Sequence, residues 1–176
     1  MKKTIAILLA ALLMLSAAAC SQKTADGGDT PDDSGNVQIP NPWVDCATLD
    51  EAAKLAGFDI AIPGSFEGYP ETVIQAMEKS MIQVMYFDGD PAAESSSMVM
   101  VRKGTGDGDI SGDYNEYPET ETVQMHGADV TLRGDKGLVC SAIWTWGGYS
   151  FAINADKGLS RDAVSAAVEE MVTVAG

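Results

Sequence analysis

The stretch VCSAIWTWGGYSFAI, residues 139–153, constrains the fold more than any other. Gly147-Gly148 separates two runs in which large apolar residues alternate with smaller ones, the pattern of two strands joined by a two-residue turn. With that turn, Trp146 faces Tyr149, Trp144 faces Phe151 and Ala142 faces Ile153. Side chains alternate between the two faces of a strand, so all six share one face. Four aromatic rings side by side bury a large apolar area and pair favourably across the strands. The remaining chain therefore has to extend this hairpin into a sheet and cover its aromatic face.

Several segments can do so. TVQMHGADVTLRG reads as a second hairpin with Gly127-Ala128 at the turn, which sets Val123 and Met125 against Leu132 and Val130. In that register the chain's single histidine, His126, stands opposite Asp129 as a surface charge pair, with no serine or cysteine visibly beside it. TVIQAM and SMIQVMYF read as strands with Glu78-Lys79 between them. SSMVMVRK is another, and its unbroken apolar run Met98–Val101 implies a central strand covered on both faces. FDIAIP reads as a brief strand ended by Pro63.

Two helices accompany the strands. In ATLDEAAKLAGF, Thr48 and Glu51 form a capping box and Gly57 is the stop. In LSRDAVSAAVEEMVTVAG, Ser160 is the N-cap, and Val164, Ala167, Val168 and Met171 recur at helical spacing. The fold class is α+β: a meandering, mostly antiparallel sheet with a short N-terminal and a longer C-terminal helix packed on one face.

The chain opens MKKTIAILLAALLMLSAAAC. Two lysines, a short apolar run and small residues before a cysteine form a secretory signal peptide over 1–19. The run is shorter than the roughly 20 residues that a membrane span needs. Ala17-Ala18-Ala19-Cys20 resembles the lipobox of bacterial lipoproteins, departing from it in having Ala17 where leucine is usual. The resemblance implies a diacylglyceryl group on Cys20, with acyl chains such as palmitate holding the protein to the membrane. Ordinary cleavage after Ala19, releasing a protein with a free Cys20, is the alternative. Residues 20–40 are rich in Gly, Ser, Asp, Thr and Pro and read as a flexible acidic tether. The folded domain is then 41–176.

That domain holds 8 Lys and Arg against 22 Asp and Glu, a formal charge of −14. That balance argues against nucleic acid as a partner, since its binding needs clustered cations. Two further cysteines, Cys46 and Cys140, are candidates for a disulfide. Such a bond would close a loop of about 95 residues and contribute about 4–5 kcal/mol by chain entropy. Free, buried thiols are the competing reading. The absence of a Cys-x-x-Cys pair leaves zinc and redox chemistry without support.

The acidic stretch GTGDGDISGDYNEY, residues 104–117, matches part of a calcium loop. Counting from Asp107, acceptors fall at positions 3, 5, 7 and 9 and Gly112 at 6, but position 12 is Pro118. An irregular calcium site would use Asp107, Asp109, Asp113 and Glu116 and would be the only cofactor. Otherwise these residues cap local turns, or the loop is a contact surface through Tyr114 and Tyr117. Trp146 and Tyr149, nearest the hairpin turn, are the aromatic residues best placed to meet a ligand. A lone histidine builds no catalytic triad, and no carboxylate pair stands out by spacing. Arg133-Gly134-Asp135 is the integrin-ligand tripeptide, but it lies at a strand end.

WVDCATLDEAAKLAGFDIAIP, MIQVMYF, RKGTGDGDISGDYNEY and VTLRGDKGLVCSAIWTWGGYSFAI, followed by the last helix, resemble in order the bacterial "domain of unknown function 4367" family of lipoproteins from Gram-positive gut anaerobes. The resemblance implies a lipid-anchored protein on the extracytoplasmic face of the cell membrane, and no reaction. The expectation is a non-enzymatic binding or interaction module at the envelope, meeting a peptide, an envelope component or a protein. The alternatives are a hydrolase of an envelope polymer using loop carboxylates, or a calcium-stabilised surface module.

Overall fold

The computed structural model describes residues 41–173. The signal peptide expected over 1–19, Cys20 and the tether expected over 20–40 lie outside the described residues. Eight strands form one sheet: β1 Val44–Cys46, β2 Glu71–Met77, β3 Met81–Phe87, β4 Met98–Thr105, β5 Glu119–Met125, β6 Ala128–Asp135, β7 Leu138–Trp146 and β8 Tyr149–Leu159. Their order is β1-β2-β3-β4-β8-β7-β6-β5, and every neighbouring pair is antiparallel. Helix α1 is Leu49–Ala56 and helix α2 is Arg161–Thr173. This is the expected α+β architecture, with β1 as a strand that the pattern did not reveal.

Topologically, two four-stranded meanders meet at the β4–β8 pair. The chain leaves β4 at the centre of the sheet and must re-enter at its far edge as β5. Four strand spacings of about 4.8 Å separate those positions, roughly 19 Å. Residues 106–118 make the crossing, over the face that carries no helix.

The Trp-rich hairpin has the expected register, Trp146↔Tyr149, Trp144↔Phe151 and Ala142↔Ile153. Trp144 and Phe151 stack with centroids 5.2 Å apart and are almost fully buried. The same face carries Ile82, Val84 and Tyr86 of β3, Val99 and Val101 of β4, and Val130 and Leu132 of β6. Helix α1 covers the β1–β3 side, and α2 packs on β5, β7 and β8.

Both helices start as their caps dictate. Thr48 Oγ1 accepts from Glu51 N at 3.2 Å, and Gly57 closes α1 at φ 83°. Ser160 Oγ accepts from Ala163 N at 3.1 Å, and α2 buries Val164, Ala167, Val168, Met171 and Val172.

Three local expectations are corrected. Phe58–Pro63 is irregular, not a strand. Its groups bond inward to the core instead: Tyr86 donates its hydroxyl to Pro63 O at 2.6 Å. The β2–β3 connection is a three-residue turn over Glu78-Lys79-Ser80, with Met77 opposite Met81 and Lys79 at φ 52°. The β5–β6 turn is His126-Gly127, at φ 49° and 92°, so Val123 pairs with Val130 and Met125 with Ala128. Two consecutive positive φ values suit the twist of paired strands better than a turn one residue later. The slip spans two residues in the pairing, so the buried face is unchanged.

Candidate functional site

The helix-free face of the sheet carries a polar ladder where an ordinary open face would be merely wet. Register aligns Asp45, Gln75, Gln83 and Arg102 across β1 to β4. Gln75 Nε2 donates to Asp45 Oδ1 at 2.7 Å, Gln83 Nε2 to Gln75 Oε1 at 2.5 Å, and Arg102 Nε to Gln83 Oε1 at 3.0 Å. The ladder ends in the crossing loop. Arg102 Nη1 donates to Ile110 O and Ser111 O, each at 2.9 Å, and Asn154 Nδ2 of β8 donates to Ser111 O at 2.8 Å. The Trp43 ring lies 5.5 Å from the same guanidinium. Gly112 sits against it at φ 67°, where a Cβ would stand 2.8 Å from Nη1.

The loop itself is braced by side chains that reach two residues onward. Asp109 Oδ1 accepts from Ser111 N at 2.9 Å and from its hydroxyl at 2.6 Å. Ser111 Oγ accepts from Asp113 N at 3.1 Å, and Asp113 Oδ1 accepts from Asn115 N at 3.0 Å. Tyr117 then donates its hydroxyl to Asp113 Oδ2 at 2.8 Å. Asp and Ser caps of this kind satisfy backbone donors that the crossing takes away from strand partners. Asp109 also pairs with Arg133 of β6 at 3.1 Å, which ties the loop to a third strand. Burial pushes the Asp109 carboxyl up, but the two Ser111 donors and Arg133 outweigh it and hold it below its ordinary range.

Between this roof and the sheet runs a groove of about 630 Å³. Met98, Met100 and Arg102 of β4, Asn154 and Asp156 of β8 and Cys140 of β7 line its floor. Asp113, Glu116 and Tyr117 line its loop side. Burial first, then the charges of Asp113 and Asp135, push the Cys140 thiol up, so it is a neutral side chain and a poor nucleophile. Asp156 Oδ2 is occupied by Met98 N at 2.8 Å. Tyr114, on the outer side of the roof, is 96% exposed.

The four residues of the irregular calcium loop are not brought together. Asp109 turns to Ser111 and Arg133, Asp113 to Asn115 and Tyr117, and Asp107 lines a depression at the hairpin tip. Among the described residues no group of three or more His, Cys, Asp or Glu side chains is placed to hold a metal ion.

The aromatic ligand contacts split between two places. Tyr114 and Tyr117 belong to the roofed face. Trp146 and Tyr149 line a depression of about 540 Å³ at the hairpin tip, together with Gly106, Asp107 and Thr145. Trp146 Nε1 donates to Val172 O of α2 at 3.1 Å, and Tyr149 packs on Phe58 with centroids 4.9 Å apart.

The Cys46–Cys140 disulfide is absent; both thiols are free. Cys46 lies on β1 and Cys140 on β7, five strand spacings or roughly 24 Å apart. A disulfide tolerates at most about 7 Å between Cα atoms. His126 does not face Asp129, whose carboxylate takes Gln124 Nε2 at 2.7 Å. Contrary to the sequence reading, a serine does stand beside it: His126 Nε2 is 3.1 Å from Ser165 Oγ of α2. Ser165 sits in the middle of that helix, where backbone N–H groups are already bonded and offer no oxyanion hole. Arg133, Gly134 and Asp135 are paired residues of β6, with Arg133 held by Asp109.

Lys103, 5% exposed, was not foreseen as a buried cation. It projects from β4 to the helix-covered face, donates to Asp59 O at 2.7 Å, and its Nζ lies 4.2 Å from the Tyr149 ring centroid. Burial pulls its amine below the ordinary lysine value, opposed by Asp59.

No family model, curated protein or solved structure matches the chain.

Proposed function

We propose that this is a lipid-anchored protein of the extracytoplasmic membrane face whose roofed groove binds a peptide, an envelope component or a protein partner without chemically changing it. One observation carries the binding role: the 106–118 crossing is held in a single shape by side-chain caps and by bonds to β4, β6 and β8. A prearranged surface loses little freedom when a partner settles on it, and that favours binding. The chemistry lining the groove agrees. The Cys140 thiol in its floor stays protonated and is a poor nucleophile. The leader, Cys20 and the acidic tether support the anchor, and the order of elements resembling the domain of unknown function 4367 family is in keeping with that location.

The test uses the full-length protein in its own membranes, with a photoreactive side chain in place of Tyr114. Irradiation is expected to capture an envelope component there, and not when the same group replaces Lys79 on the β2–β3 turn. Release of soluble fragments from isolated envelope, abolished by Asp113→Asn or Glu116→Gln, would replace the binding role with a hydrolytic one. An unmodified amino terminus on protein recovered from culture fluid would remove the anchor.

A further inference from the structure

We propose that the groove docks an extended basic peptide segment, with a Lys or Arg side chain set between Tyr114 and Glu116. The inference rests on the binding role argued above and names its ligand class.

Charge selects the class. Asp113, Glu116 and Asp156 border the groove, against the single cation Arg102. That cation is already engaged: Nε and Nη1 hold Gln83 and the loop carbonyls, and Trp43 lies against the guanidinium. The domain around it carries −14, so an approaching cation is attracted from beyond the groove as well.

Shape selects a chain over a free amine. The floor offers Met98 and Met100, flexible apolar side chains that adapt to varied stems. Tyr114 stands outside the cavity, 96% exposed on a braced loop. A ligand small enough to lie within the groove leaves Tyr114 untouched. A peptide can fill the groove with one residue and place the next cation over that ring.

The experiment uses full-length protein in discs of zwitterionic lipid, with a labelled peptide of alternating Lys and Ser about ten residues long and a Gln/Ser peptide as control. Fluorescence anisotropy is expected to show binding of the basic peptide alone, weakening as salt rises. Tyr114→Ala and Glu116→Gln are each expected to weaken it about threefold or more, the scale of one surface ion pair or cation–π contact. Glu78→Gln, which removes the same charge from the distant β2–β3 turn, is expected to leave affinity unchanged. Equal weakening by Glu78→Gln and Glu116→Gln overturns the proposal, since the attraction is then diffuse. Displacement of the peptide by equimolar spermidine overturns the peptide source. If the basic peptide fails to bind while the position-114 crosslink still captures an envelope component, the ligand class falls and the binding role stands. Failure of both removes both.

Discussion

Replacing Arg102 with methionine should loosen the roof and lower stability together. The side chain makes three bonds: Nε to Gln83 Oε1, and Nη1 to Ile110 O and Ser111 O. Hydrogen bonds to a charged donor each contribute about 1.5–3 kcal/mol. Ser111 O retains the Asn154 amide, so its loss matters least. Ile110 O and Gln83 Oε1 lose a donor on a part-buried surface, at about 1–3 kcal/mol each. Methionine returns some of this by sparing the burial of a charge, which already pulls the guanidinium below its ordinary value. The expected net loss is about 2–4 kcal/mol. With a urea dependence of about 2 kcal/mol per molar, the unfolding midpoint should fall by about 1–2 M. Hydrogen exchange should quicken at the amides of Ser111, Asp113 and Asn115, which the caps protect. Arg102→Lys keeps the charge but not the fork, and should give an intermediate loss. A wild-type midpoint together with unchanged exchange in the loop would refute the account of Arg102 as the roof's tie.

Gly134→Ala should destabilise by about 3 kcal/mol or more, because a Cβ there would stand 1.9 Å from Leu138 O of the partner strand; a thermal melt within a degree or two of wild type would contradict it. Asp109 has a folded pKa below its unfolded value of about 3.9, so its contribution is complete above that value and is lost as pH falls through the folded pKa. Loop amide exchange should therefore quicken only in that acidic window, and a carboxyl titrating at or above the ordinary value would contradict the geometry. Lys103→Met should cost less than about 1 kcal/mol, because a buried cation gives way to an apolar side chain of similar length. Lys103→Ala should cost about 2–3 kcal/mol by leaving a void among Phe58, Tyr149 and Phe151, and paired denaturant curves compare the two.

The elements were legible wherever a local rule acts alone. Thr48, Gly57 and Ser160 mark helix ends by their own backbone bonding, and Gly147-Gly148 sets a hairpin register without help from elsewhere. His126 shows the limit: a non-glycine residue at φ 49° opens the turn that Gly127-Ala128 was expected to make. Phe58–Pro63 shows another, since its alternation looks like a strand while its carbonyls serve Lys103 and Tyr86 instead. The site was legible only as an acidic loop. Its turn-capping reading agrees with the bonds formed, but nothing local says that the loop crosses a sheet. That follows from β4 pairing with β8, a contact between distant parts of the chain. The repeated Ile-Gln of β2 and β3 was the one available hint of the ladder, placing Gln75 and Gln83 at matched positions of adjacent strands.

The meeting of two meanders at a single seam bears on how the chain reaches its native state. Within each half, successive strands pair with their neighbours, through tight turns at β2–β3 and from β5 to β8 and through longer connections at β1–β2, which carries α1, and at β3–β4, so most pairing joins segments near in sequence. The central β4–β8 partnership closes the longest loop between paired strands, and the braced crossing fastens over it. Assembly from two prefabricated halves, zipped late and then latched, is the kinetic order this arrangement favours.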